Sequence, residues 1–256
     1  MKNTAMVVTF LLLGAAPASA VSEPGFEGCL TIAELKTGKT VLEHEPQRCG
    51  ARFSPNSTFK IAAALMAFED RIFKDEKQKI AWDGKSGKRD AERRNQTPTS
   101  WMSESVVWVT QRVTRQEGAK RVQQWLNKFD YGNLDFSGGL EQAWLDSSLK
   151  ISAHEQIRFL RKLRLGQLPV SARARDLTWK ILNIPNQPFE LHGKTGTGCI
   201  DPGCMGRVRG WFVGVFKRGG KEYVFAANSE DREMGSVYAG PRLRNRVVSY
   251  LNQAFH

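Results

Sequence analysis

The sequence predicts an α+β fold, three-layered and αβα-like, with a mainly antiparallel sheet formed by strands from the two ends of the chain and a central all-helical region packed against it. Three observations lead there. Strand-turn-strand patterns occupy residues 30–43 and 209–228, helical stretches dominate from about residue 59 to 180, and no flexible linker separates the parts. The 256 residues, 41% hydrophobic and 25% charged, suffice for one large core.

Taken in order, residues 1–20 read as a secretory signal: Lys2 is the positive start, Ala5 to Ala16 the apolar part, and Ala18-Ser19-Ala20 a small-x-small cleavage site. The rest, residues 21–256, is expected to form a single domain, exported to the periplasm. No stretch reaches the length of a membrane span, so no stable membrane insertion is expected. Leu30–Leu35 and Thr40–Glu43 flank Lys36-Thr37-Gly38-Lys39, a hairpin with glycine in its turn. Helical stretches at 118–129 and 152–164 are broken by loops such as Tyr131-Gly132-Asn133 and Ser137-Gly138-Gly139. Arg209–Phe216 and Glu222–Asn228 flank a Gly219-Gly220 turn, and Arg242–Phe255 reads as a closing helix.

A formal net charge of +12, or +11 once Lys2 leaves with the signal, is strongly basic. The basic residues are dispersed and adjoin no nucleic-acid motif, which with export argues against nucleic acid and for anionic small molecules or an anionic envelope. Monomer and homodimer both stay open. Four cysteines in an oxidising compartment predict two disulfides, Cys29 with Cys49 around the hairpin and Cys199 with Cys204 around a short loop. The four histidines lack metal-ligand spacing, so no metal is expected.

The chemistry centres on Pro55-Asn56-Ser57-Thr58-Phe59-Lys60 and the run Ile61–Phe68 behind it. That run is apolar on nearly every face and predicts a helix in the middle of the domain. Ser57 and Lys60, three residues apart at its start, share one side of the first turn. Burial lowers a lysine's pKa, and a neutral amine beside a hydroxyl can make it a nucleophile. The plainer alternative is a Ser57 N-cap with Lys60 reaching to the surface, and Ser147-Ser148-Leu149-Lys150 repeats the pattern without an apolar helix after it. Two further stretches follow in order. Ser105-Val106-Val107 hides a hydroxyl among large residues, and Lys194-Thr195-Gly196-Thr197-Gly198 reads as an edge strand offering an ammonium, hydroxyls and backbone groups, although Lys36-Thr37-Gly38 shows how cheap the tripeptide is.

The order S-x-x-K, S-x-V, K-T-G at positions 57, 105 and 194 resembles that of the penicillin-recognising serine enzymes. With Trp82-Asp83-Gly84-Lys85, Tyr131-Gly132-Asn133 and Trp144-Leu145-Asp146-Ser147-Ser148-Leu149-Lys150-Ile151-Ser152, it is similar to the class D, oxacillinase-type β-lactamases, across residues 53–245. The resemblance implies hydrolysis of penicillin-type β-lactams. Ser57 would be the nucleophile, Lys60 an N6-carboxylysine carrying carbon dioxide as general base, and Ser105 and Lys194 the proton relay. Backbone N–H groups of Ser57 and Thr197 would form the oxyanion hole, Trp144 would hold the carbamate, and Val107 and Phe59 would keep it dry. Thr195, Gly196, Thr197 and Arg242 would bind substrate, Arg242 through its carboxylate; Arg244 and Arg246 crowd the same segment. No glutamate stands in the E-x-x-L-N arrangement that class A relatives use for deacylation. Asn56 replaces the small residue usual before the nucleophile, and Thr197-Gly198 replaces a bulky residue, which would widen the pocket. The alternative reading is a penicillin-binding or penicillin-sensing protein that is acylated but deacylates slowly.

Overall fold

The computed structural model describes Gly25, residues 27–201, residues 206–232, Gly235 and residues 237–255. The expected signal segment and Cys204 lie outside the described residues. Five strands form one antiparallel sheet in the order β2-β1-β5-β4-β3: β1 Cys29–Glu34, β2 Thr40–His44, β3 Glu190–Cys199, β4 Val208–Arg218 and β5 Lys221–Asp231. The expected hairpin is β1–β2, and it joins the C-terminal strands because β1 pairs with β5 along its whole length, Leu30 opposite Ala227 and Glu34 opposite Tyr223.

Helices lie on both faces. In α7 (Ala239–Ala254) the spacing of Leu243, Val247, Tyr250 and Leu251 puts one stripe against Phe212, Phe216 and Phe225 on the sheet. On the other face α5 (Ala153–Arg164) packs on β1, β4 and β5, started by a capping box in which Ser152 accepts from the Glu155 amide and Glu155 accepts from that of Ser152. α1 (Pro46–Gly50) follows the hairpin and is tied to β1 by the Cys29–Cys49 disulfide, as its cysteine spacing predicted.

The apolar run becomes α2 (Lys60–Glu69), whose residues Ile61 through Phe68 are all 0% exposed. α3 (Pro98–Ser103), α4 (Val107–Phe129) and α6 (Ala172–Ile181) surround it. The helix expected from residue 118 is the second half of α4. Gly118 there has φ 73° and ψ 159°, a break that glycine alone takes without strain, and the segment before it, read from the sequence only as an apolar stretch, is the helix's first half. No helix among the described residues is long and apolar enough to cross a membrane.

Candidate active site

A 3-10 turn over Asn56–Phe59 leads into α2 and presents Ser57, half-buried, to a cleft of about 620 Å³. Ser57 is not a cap: no side chain caps either the turn or α2. The turn is held from behind, where Thr58 donates to the Pro55 carbonyl at 2.8 Å and Gln156 donates to Thr58 Oγ1 at 2.9 Å. Lys60 Nζ donates to Ser57 Oγ at 3.2 Å, the meeting that the three-residue spacing implies. Lys60 is 0% exposed, and burial, followed by the neighbouring charge of Lys194, pushes its pKa well below the ordinary lysine value.

Aromatic rings close the rear of this pair. Phe59 stacks on Trp144 with centroids 5.9 Å apart and meets Phe136 and Tyr131 at 5.8 and 6.0 Å. Lys60 Nζ lies 5.1 Å from the Trp144 ring centroid, yet the buried Trp144 Nε1 has no hydrogen-bond partner. A buried N–H without an acceptor among the described residues is costly. Val107 is half-buried and faces the cleft.

The front wall is the outer strand β3. Lys194 Nζ donates to Ser105 Oγ at 3.0 Å and to the Thr195 carbonyl at 2.9 Å. Burial, then the charges of Arg89 and Arg244, lower Lys194 to about 7. Ser105 stands at φ 58°, a conformation uncommon outside glycine, just before α4. On β3 the Gly193 amide turns away from β4 to Leu182 O (2.9 Å) and the Cys199 amide turns away to Asp146 Oδ2 (2.8 Å). The two-residue period of a strand then puts the amides of Thr195 and Thr197 on the same outward side, toward the cleft. Gly196 lets this edge approach the nucleophile, since a Cβ there would sit 3.0 Å from Pro55 O and 3.4 Å from Ser57 N. Thr197 Oγ1 accepts from the Gly240 amide at 2.9 Å, which ties the strand to the start of α7.

Around this site the whole chain is similar to known proteins. The penicillin-binding protein transpeptidase domain model matches residues 28–249. The β-lactamase OXA-1 of Escherichia coli is 35% identical over 91% of this chain and 88% of its own. The probable β-lactamase YbxI of Bacillus subtilis is 33% identical over 89% of this chain and 80% of its own. Among solved structures, the class D β-lactamase OXA-427 superposes with a TM-score of 0.78 at 37% identity, covering 88% of this chain and 97% of that one. The chain belongs to the class D β-lactamases.

One residue assignment of this class D enzyme needs correcting. Arg242 does not face the cleft: its Nε and Nη2 donate to Asp231 at 2.9 and 2.6 Å and it also binds Val237 O. The reason is helical geometry. Arg246, four residues on, shares that face and reaches Asp231 at 3.4 Å, whereas Arg244 points away from it. Arg244 lies one turn beyond Gly240, the residue bonded to Thr197, on the side of the helix turned away from Asp231. The Cys199 partner expected at Cys204 lies outside the described residues.

Three cleft residues escaped the sequence reading. Glu92, 4% exposed, accepts from the amides of Lys88 and Arg89 and from Arg89 Nη2 at 2.9 Å. It thereby fixes Arg89, which also donates to Glu104 O and whose guanidinium lies 5.8 Å from the Tyr238 ring centroid across the cleft mouth. Asp146 is the third. Neither arginine nor acids stood in a spacing that marks a site; only Asp146, two residues after Trp144, carried a positional hint.

Proposed function

We propose that this enzyme hydrolyses the amide bond of β-lactams through an acyl-enzyme on Ser57, and so confers resistance to penicillin-type antibiotics on a cell that exports it to the periplasm through the leader at 1–20. The observation that carries this reading is the 3.2 Å contact between Ser57 Oγ and a wholly buried Lys60, with the unpartnered Trp144 indole beside it. Those residues also fit a lysine carbamate. Forming one needs an uncharged amine, which burial supplies, and the group needs a hydrogen-bond donor in a dry surround, which Trp144 and Phe59 supply. Carbon dioxide bound there as N6-carboxylysine would provide a general base for both acylation and deacylation.

Ser57 Oγ attacks the lactam carbonyl while its proton leaves toward Lys60. The carbonyl oxygen, turned oxyanion, faces the amides of Ser57 and Thr197. The C–N bond breaks as a proton passes to the nitrogen from Ser105, which is replenished by Lys194 at 3.0 Å. Water then attacks the ester, its proton again moves toward Lys60, and Ser57 departs as the hydroxyl. Arg244 and Thr195 hold the substrate carboxylate near Lys194.

The test mixes the purified mature enzyme with a chromogenic cephalosporin, with and without bicarbonate, and follows intact mass. Turnover that rises with bicarbonate through a transient Ser57 adduct is expected. A permanent adduct without turnover would instead identify a penicillin-binding or sensing protein, and absence of any adduct would overturn the reading.

A further inference from the structure

On the proposed reading, a substrate lies in the cleft along the outward edge of β3. Its carboxylate end belongs beside Lys194, Thr195 and Arg244, and its reacting carbonyl belongs at the Thr197 amide. The acyl side chain must therefore continue along the outward edge past Gly198 toward Cys199. What stands there is Asp146. Its Oδ1 accepts from Asn56 Nδ2 at 3.1 Å and its Oδ2 accepts from the Cys199 amide at 2.8 Å, so both oxygens are pinned from the protein side while the residue stays exposed to the cleft. Asn56, only 1% exposed, is itself fixed by donating to Ser54 O at 3.1 Å and by its amide, which donates to Trp144 O at 3.0 Å. Gly198 has no room for a side chain because Asn56 and Asp146 occupy the place of its Cβ, at 2.3 and 2.4 Å.

We infer that Asp146 selects the acyl side chain by charge, favouring β-lactams with a cationic ammonium on that side chain over those with an anionic carboxylate. The inference rests on the proposed hydrolytic reading of Ser57 and Thr197. A carboxylate held at both oxygens has spare lone pairs for a cation and cannot swing away from an anion. Arg209, a cation whose charge reaches Asp146, already binds Glu230 at 2.8 Å and covers the Phe53 ring. Long-range attraction does not produce the same preference. The strongly positive chain favours more negative substrates, so the net charge and Asp146 pull in opposite directions.

The experiment compares three penicillins that share a phenyl side chain and differ in bearing an α-ammonium, no charge or an α-carboxylate. For the wild type, kcat/KM for the ammonium form should exceed that for the carboxylate form by about tenfold at low salt, and Asp146→Asn should bring the ratio to about one or below. Asn56→Ala keeps the charge but frees one carboxylate oxygen and should reduce the preference without abolishing it, and near-molar salt should shrink the ratio in the wild type but not in Asp146→Asn. Because the readout is a ratio, a general loss of activity or stability in a variant does not imitate it. A wild type without the preference, or an equal preference in Asp146→Asn, overturns the inference. Failure of the wild type to form any Ser57 adduct would show separately that the underlying reading is wrong.

Discussion

Replacing Trp144 by phenylalanine tests the proposed carbamate separately from everything else the tryptophan does. Phenylalanine keeps a ring against Phe59 but removes the buried N–H that has no acceptor among the described residues. A hydrogen bond to a charged group contributes about 1.5–3 kcal/mol, and each ~1.4 kcal/mol is tenfold in affinity, so carbon dioxide should bind Lys60 roughly 10- to 100-fold more weakly. Fold stability without carbon dioxide should respond differently. Loss of an unsatisfied donor removes a desolvation cost of about 1–3 kcal/mol and offsets the packing lost with the larger ring. The expected net change is under about 1 kcal/mol. Three measurements check this: turnover against bicarbonate concentration, the carbamate signal by carbon-13 NMR with labelled bicarbonate, and thermal unfolding in carbonate-free buffer. A bicarbonate midpoint shared by Trp144→Phe and the wild type would refute the reasoning.

Arg244→Ala should raise KM for carboxylate-bearing substrates about 10- to 100-fold while Arg242→Ala leaves it unchanged, because Asp231 holds Arg242 and Arg244 is the proposed carboxylate partner; the same change should raise the Lys194 pKa from about 7, read as an alkaline shift in the kcat/KM profile. Burial, then the Asp70 carboxylate, push half-buried Glu117 up to about 8. The folded state therefore holds a proton that the unfolded state releases nearer 4.5, and stability falls as pH rises between those values. Glu117→Gln should remove that decline and add about 1–2 kcal/mol at pH above 8, after allowance for solvent screening, measured by urea unfolding across pH. Cys29→Ser with Cys49→Ser opens a link of sequence separation 20 and should cost about 2–4 kcal/mol, read from the same unfolding curves, with little change in kcat.

Much of the site was legible because its residues are local or sit at a fixed strand period. The all-apolar spacing after Ser57 announced a buried helix, and burial told the two S-x-x-K sequences apart: Lys60 is 0% exposed, whereas Lys150 of the second is exposed. The decoy Lys36-Thr37-Gly38 is an exposed hairpin turn rather than a cleft strand. What the sequence concealed depends on partners distant along the chain. Three arginines at alternate positions look equivalent until Asp231, at the end of β5, claims the two on one helical face. Glu92 and Arg89 gain their positions from Glu104 and Val107 across a loop, contacts that no spacing encodes. The first half of α4 read only as an apolar stretch because a glycine at 118 resembles a helix start as much as an interruption.

A β-strand left unpaired for a substrate is also a template on which another copy of the chain could polymerise. On β3 that hazard is confined by what borders the reactive stretch. Leu182 O takes the Gly193 amide and Asp146 takes the Cys199 amide, so of the outward amides at odd positions from 193 to 199 only those of Thr195 and Thr197 lie between the two fixed points. Two amides are too few to seed an intermolecular sheet, and glycines at 193, 196 and 198 make the segment a poor strand former in a foreign pairing. The same short gap that would admit one small amide thus leaves too little free edge for assembly of copies through β3.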